Sequence, residues 1–255
     1  MSRVAVVTGA TSGIGLATLK LLREKGWTVY GISRRAEGDK MLAADVSDES
    51  AVNAAIEKVI SLEGKIDLLV NNAGMGISGS VEKSGMEDIR RIFDVNFFGG
   101  LYCTRAVLPH MREAGRGKII NVSSVAAPIA IPFQSFYSAT KAAINSVTLA
   151  LRNEAAQYDI KVCAVMPGDV RTGFTDARKK TADDYKNAES AVASMEKDER
   201  SGMSPDAVAK VIVRAAEKTS PKPLYVAGAK YKVFYFLFKV LPASLAYKIV
   251  GMMYK

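Results

Sequence analysis

Cysteine and histidine are scarce in this chain of 255 residues: two cysteines, Cys103 and Cys163, and one histidine, His110. The cysteines stand far apart, each in an apolar run, with no metal-ligand spacing. They read as reduced core thiols in a reducing compartment. A single histidine following Pro109 near the end of a helical pattern reads as a surface residue, and no metal is expected. No apolar run reaches the ~20 residues needed to cross a bilayer. "RVAVVTG" enters a strand with no signal-peptide core before it. No lysine/arginine block with interleaved aromatics is present, which argues against nucleic acid as a partner. These absences leave a cytoplasmic enzyme as the expectation. Net charge is +9, which suits a solvated basic surface, an anionic cofactor or an anionic membrane surface.

What the chain does contain alternates. Apolar strand patterns at Val4–Thr8, "TVYGIS", "MLAADV", "IDLLV", "KIINVS", "IKVCAVMP" and "PLYVAG" are separated by helical patterns at Gly13–Lys25, Asp48–Leu62 (Ser47 as cap), Glu87–Ala114 and Phe136–Tyr158. Strands apolar on both faces between helices predict an α/β domain with a parallel sheet covered on both sides. Residues Asp176–Arg200 are densely charged. They read as a mobile helical insertion, either a solvated helix pair or a lid over a pocket.

Thr8-Gly9-Ala10-Thr11-Ser12-Gly13-Ile14-Gly15 follows the first strand and opens the first helix. Glycines there permit a tight turn, let the backbone approach a pyrophosphate and let helix pack on strand. The helix N-terminus offers free N–H groups to phosphates. The second strand ends at Ser33, followed by Arg34 and Arg35. An acidic residue there would bind a ribose 2′-hydroxyl, whereas arginine pairs with a 2′-phosphate. The expected cofactor is therefore NADP(H), with Ser33, Arg34 and Arg35 among its contacts.

The turn, "NNAG" at Asn71–Gly74, Asn96 in "DVNFFG", "NVSS" ending at Ser124, "YSATK" at Tyr137–Lys141 and "PGDVRT" at Pro167–Thr172 form an ordered series. The series resembles that of the short-chain dehydrogenase/reductase family, over roughly residues 3 to 175. Within the family, "NFFGGL" and "PFQSFYSATK" look most like the hydroxysteroid and retinol dehydrogenase branch. The resemblance implies a single-domain, Rossmann-like, doubly wound sheet of about seven strands. It also implies cofactor contacts: Gly9, Thr11, Ser12, Gly13 and Ile14 at the pyrophosphate turn, Asp45 and Val46 at the adenine, Asn72, Ala73 and Gly74 at the adenosine ribose, and Pro167, Gly168, Val170 and Thr172 at the nicotinamide, with Tyr137 and Lys141 shared between cofactor and catalysis. Asn96, Ser124, Tyr137 and Lys141 would form the catalytic group. Asn71 is expected to stabilise the sheet centre. A homodimer or homotetramer through Asn96–Ala114 and Phe136–Tyr158 is also implied.

Tyr137 and Lys141 are four residues apart and share a helical face. Reducing a ketone needs a hydride on carbon and a proton on oxygen. Tyrosine has a pKa of ~10, too high for an efficient base near neutrality, and an adjacent ammonium together with the positive nicotinamide of oxidised cofactor is expected to lower it. Ser124, thirteen residues before Tyr137, is the expected holder of the substrate oxygen. Neighbouring Ser123 should face the other way. Asn96 is expected to position a water leading from Lys141 to solvent.

The substrate expectation is a bulky apolar alcohol or ketone, steroid- or retinoid-like, because Ala126–Phe133 is apolar and carries two prolines. A 3-ketoacyl thioester, or a non-catalytic NADP sensor, are the alternatives. The catalytic domain is expected over residues 1–230, with an apolar and basic helical extension over 231–255. Pro242 divides that extension into segments too short to span a membrane. It could cover the pocket, pack at a subunit interface or make peripheral contact with a membrane.

Overall fold

β1 (Val4–Thr8) runs through the glycine turn into α1 (Gly13–Glu24), then β2 (Thr28–Ser33) and a short β3 (Met41–Ala43). Next come α2 (Glu49–Glu63), β4 (Leu68–Asn71), a two-residue β5 (Ile77–Ser78), α3 (Met86–Phe93), one π-helical turn (Asp94–Phe98) and α4 (Gly99–Glu113). β6 (Gly117–Val122), α5 (Ser135–Glu154), a 3-10 turn (Ala155–Tyr158) and β7 (Ile160–Pro167) follow. The chain closes with β8 (Lys179–Lys180), α6 (Ala188–Arg200), α7 (Pro205–Glu217), β9 (Leu224–Ala227), α8 (Ala229–Val240) and α9 (Ala243–Met253). This is a computed structural model, and it describes residues 2–254.

Seven strands form one parallel sheet in the order β3-β2-β1-β4-β6-β7-β9. The chain moves outward from β1 to β3, then crosses back to β4. The order therefore reverses between β1 and β4, and a crevice opens beyond their C-terminal ends. Alternate residues of β1 point to opposite faces. Val4 and Val6 pack with Val52, Ile56, Cys103 and Val107 of α2 and α4. Ala5 and Val7 pack with Leu19, Leu22, Val208 and Ile212 of α1 and α7. Each fully buried aliphatic side chain contributes roughly 1.5–3 kcal/mol. Both cysteine thiols are buried in these layers, and burial raises each to about 12, which leaves them inert.

Several local expectations shift. The α2 cap is Asp48, whose carboxylate accepts from the Ala51 N–H, because the Ser47 hydroxyl is engaged on Asp45. The third strand is three residues, not six, since it forms an edge paired only with β2. The expected helix pair in residues 176–200 is one helix, α6, preceded by β8. The segment is fastened rather than loose. β8 pairs with β5, Ser80 N–H donates to Asp183 at 2.6 Å, and Lys179 reaches Asp88 at 2.6 Å.

Candidate active site

The site lies at the crevice between β1 and β4. Gly9 and Gly13 have φ of +65° and +51°, a region that side chains other than glycine adopt at a cost. A Cβ on Gly9 would also stand 3.0 Å from Ala73 Cα. Thr8 Oγ1 accepts from the N–H groups of Asn72 and Ala73 at 2.9 and 3.0 Å, and Asn72 Nδ2 donates to Thr8 O at 3.0 Å. The two strand ends are thereby stitched together under the turn. Ser12 stands at the α1 N-cap without a side-chain cap bond, and no acid occupies the first turn. The N–H groups and positive dipole end of α1 thus stay open to an anion.

A cavity of about 1140 Å³ extends from this turn along the sheet edge. Thr11, Ser12, Gly13 and Ile14 line it beside Gly9. Ser33, Arg34 and Arg35 line its far end, with Asp45 and Val46. The Ser33 hydroxyl donates to the Arg35 carbonyl, which shapes the bend that carries both exposed arginines. The Asp45 carboxyl is partly buried, which pushes it up. The Ser47 hydroxyl and N–H and the Arg91 guanidinium, at 3.1 Å, outweigh that and hold it below the ordinary carboxylate range. Asn72, Ala73 and Gly74 form the floor, and Pro167, Gly168, Val170 and Thr172 the side nearest Tyr137.

Ser124, Tyr137 and Lys141 line the same cavity. α5 buries Ser138, Thr140, Lys141 and Thr148, so its inward face is polar and points at the site. Lys141 Nζ donates to Val122 O at 2.9 Å and stands 5.7 Å from the Tyr137 ring centre. Burial lowers its ammonium to about 8. In the protein's own environment the Tyr137 phenol is shifted upward. Burial raises it to about 12, against the bond with the Ser124 hydroxyl and the Arg178 charge, while Glu199 and Asp169 add to the rise. The Ser123 hydroxyl is turned away, donating to Lys141 O at 3.2 Å, although the residue also touches the cavity wall.

Asn96 is the one expected site residue outside the cavity wall. It sits in the π turn, buried, with Oδ1 accepting from Met75 N–H at 2.8 Å and Nδ2 donating to Met75 O at 3.0 Å and Thr140 Oγ1 at 3.2 Å. These bonds tie it to the Gly74–Met75 backbone beside Lys141. Asn71 behaves as expected at the sheet centre. Its Nδ2 reaches Gly100 O, Thr104 Oγ1 and Asn121 Oδ1 at 2.9–3.1 Å. His110 is a half-exposed partner of Glu57 at 3.1 Å.

The sequence offered a roof only as one of the open readings of the charged insertion and of the tail, without its contacts. The Phe174 ring lies 5.7 Å from that of Tyr137. Arg178, with its side chain only 1% exposed, forms an ion pair with Glu199, and Thr175 Oγ1 donates to Glu199 at 2.7 Å. Met195 of α6 and Tyr254 after α9 complete the wall. The aromatic residues of the insertion and tail were the available signal, but no spacing rule connects them to Tyr137.

The model of the family described as short chain dehydrogenase matches residues 3–183. The chain belongs to that family. As a short-chain dehydrogenase it is an oxidoreductase whose family uses nicotinamide cofactors. It is 41% identical to a 3-ketodihydrosphingosine reductase of Bacteroides thetaiotaomicron over 229 residues, covering 86% of this chain and 85% of that one. Among solved structures it resembles ElxO with NADP bound, with a TM-score of 0.78, 25% identity, and 91% and 100% of the two chains covered. It also resembles a 3-ketoacyl-(acyl-carrier-protein) reductase from Brucella melitensis complexed with NADH, with a TM-score of 0.75, 30% identity, and 88% and 95% covered.

Proposed function

We propose that this short-chain dehydrogenase uses NADP(H) to interconvert a secondary alcohol and a ketone on a bulky apolar substrate, with reduction as the working direction. The observation that carries the reading is that Ser124, Tyr137 and Lys141 share one cavity with the glycine turn and with Arg34 and Arg35. The residues fit a dinucleotide. A Cβ would fill the cradle at Gly9, the α1 N-terminus is uncapped by any side chain, and Arg34 and Arg35 make no ion pair among the described residues. Two free guanidiniums beside an adenosine site suit a 2′-phosphate.

When bound, the nicotinamide supplies or accepts the hydride. Ser124 holds the substrate oxygen through its hydroxyl. Tyr137, raised to about 12 by burial, is protonated at neutral pH and donates that proton as charge develops on the oxygen. Lys141 stabilises the phenolate left behind. Asn96 acts as a positioning residue through Met75 and Thr140. The remaining cofactor contacts are those grouped along the cavity wall, from Gly9 to Thr172.

Ala126, Ile131, Phe174 and Met195 give the substrate end an apolar wall. The name of the Bacteroides relative favours a long-chain ketone over a steroid or retinoid. A 3-ketoacyl thioester is the second reading, favoured by the Brucella neighbour. The enzyme in this reading is a cytoplasmic homodimer or homotetramer. It associates through α4 and α5 with the turns that flank them, where Phe98, Leu149 and Tyr158 are exposed, and it meets a membrane through residues 231–255. The test is NADPH oxidation with long-chain ketones, steroids, retinoids, ketoacyl thioesters and small ketones, with NADH in parallel. Turnover of an apolar ketone with NADPH supports the reading. A preference for NADH overturns the role given to the arginines, and binding of NADPH without any turnover would point to a sensor.

A further inference from the structure

α8 and α9 carry an apolar face that no other part of the described fold covers. Val233, Phe236, Leu237 and Val240 recur at the i, i+3, i+4, i+7 spacing of one helical stripe. All four are exposed, Phe236 by 64%. α8 buries no residue completely. It meets α9 through Phe238, whose ring stands 5.4 Å from that of Tyr247, and the body of the protein through the Tyr231 hydroxyl, which donates to Asp169. Tyr247 and Met252 extend the exposed apolar surface along α9. An apolar patch of this kind on a folded chain marks an interaction site.

Charge selects the occupant. Lys230, Lys232, Lys239 and Lys248 are exposed on these helices, and no acidic residue follows Glu217. The ammonium groups of Lys230 and Lys239 lie over the rings of Tyr231 and Tyr235 at 5.6 and 5.2 Å, at the edge of the apolar surface and within reach of solvent. A second copy of this chain would set lysine against lysine. An anionic lipid surface complements both features, since apolar side chains enter the acyl boundary while lysines meet headgroups. Neither helix is long and apolar enough to cross a membrane. The chain after α9 leads into the active-site wall at Tyr254, whose carbonyl accepts from Asn187 at 3.2 Å.

We propose that the α8–α9 face docks in the interface of an anionic phospholipid bilayer and brings the cavity wall at Tyr254 close to the lipid boundary. This rests on the membrane contact of the proposed function and gives it its residues and its lipid charge. The test is co-sedimentation of the full chain with phosphatidylcholine vesicles and with mixed phosphatidylcholine–phosphatidylserine vesicles, beside a mass measurement in solution. The mixed vesicles should bind the chain at least about tenfold more tightly, and added salt should weaken that binding. Lys232→Glu with Lys239→Glu should weaken it by roughly 30-fold. Val233→Asp with Phe236→Asp should abolish it. Both pairs are exposed and should leave NADPH-dependent turnover of a water-soluble ketone unchanged, which separates this proposal from the catalytic one. Equal binding to both vesicles, no binding, or an assembly that Val233→Asp with Phe236→Asp splits into smaller units would overturn the docking.

Discussion

The floor and the roof of the cavity are built by different rules. The floor is local. β1, the turn and α1 are contiguous in sequence, and each glycine answers a stated need of backbone geometry. The roof is assembled from residues far apart: Phe174 and Arg178 after β7, Glu199 on α6, and Tyr254 beyond α9. In the proposed function the floor residues hold the phosphate and carry the proton chemistry, and the roof residues face the part of the substrate that differs between enzymes. A substitution in the floor should therefore alter chemistry or cofactor, and one in the roof should alter stability and substrate fit.

The largest effect expected is at Tyr137. Tyr137→Phe should lower turnover by about 1000-fold while NADPH binding, measured by titration, stays near wild type; lost binding would show that the ring also builds the floor. Arg178→Ala should come next. It leaves Glu199 charged and half-buried, and chemical denaturation should show a loss of about 3 kcal/mol. The paired replacement Arg178→Met with Glu199→Leu should recover most of that. If it does not, the ion pair serves the site rather than the roof's stability. Arg34→Ala should reduce kcat/KM for NADPH by roughly 10- to 100-fold, the worth of a charge-assisted contact, and leave NADH rates little changed. The most gradual effect concerns Lys141, which burial lowers from its ordinary 10.5 to about 8. Between those pH values the unfolded chain holds the extra proton, so stability contributed by this group rises with pH, by at most ~1.4 kcal/mol per unit. Lys141→Met should flatten that part of the stability–pH curve.

Most of the floor was legible because its constraints are short-range. "TGATSGIG" had to be a turn feeding a helix, and Ser124, thirteen residues ahead of Tyr137, met it across the edge between β6 and α5. Asn96 shows the limit. Its place in the series was visible, but its amide partners Met75 and Thr140 were not, since sequence spacing does not reveal hydrogen-bond partners. At Tyr137 the spacing showed the neighbouring Lys141 ammonium, whereas burial, a property of the assembled site, raises the phenol in the protein itself. The cap at Asp48 rather than Ser47 turned on a third residue, Asp45.

Apolar strands alternating with amphipathic helices already determined a parallel sheet with a crevice at its C-terminal edge. The glycines and the tyrosine–lysine pair determined which crevice carries the chemistry, because turn strain and helical spacing act within a few residues. Only the tertiary structure decided that the charged insertion and Tyr254 after α9 join the cavity wall that holds Tyr137, and that one stripe of α8 is left facing outward. Those outcomes depend on which surfaces meet once the sheet has formed, and burial and ion pairing between residues separated by tens of positions have no local signature.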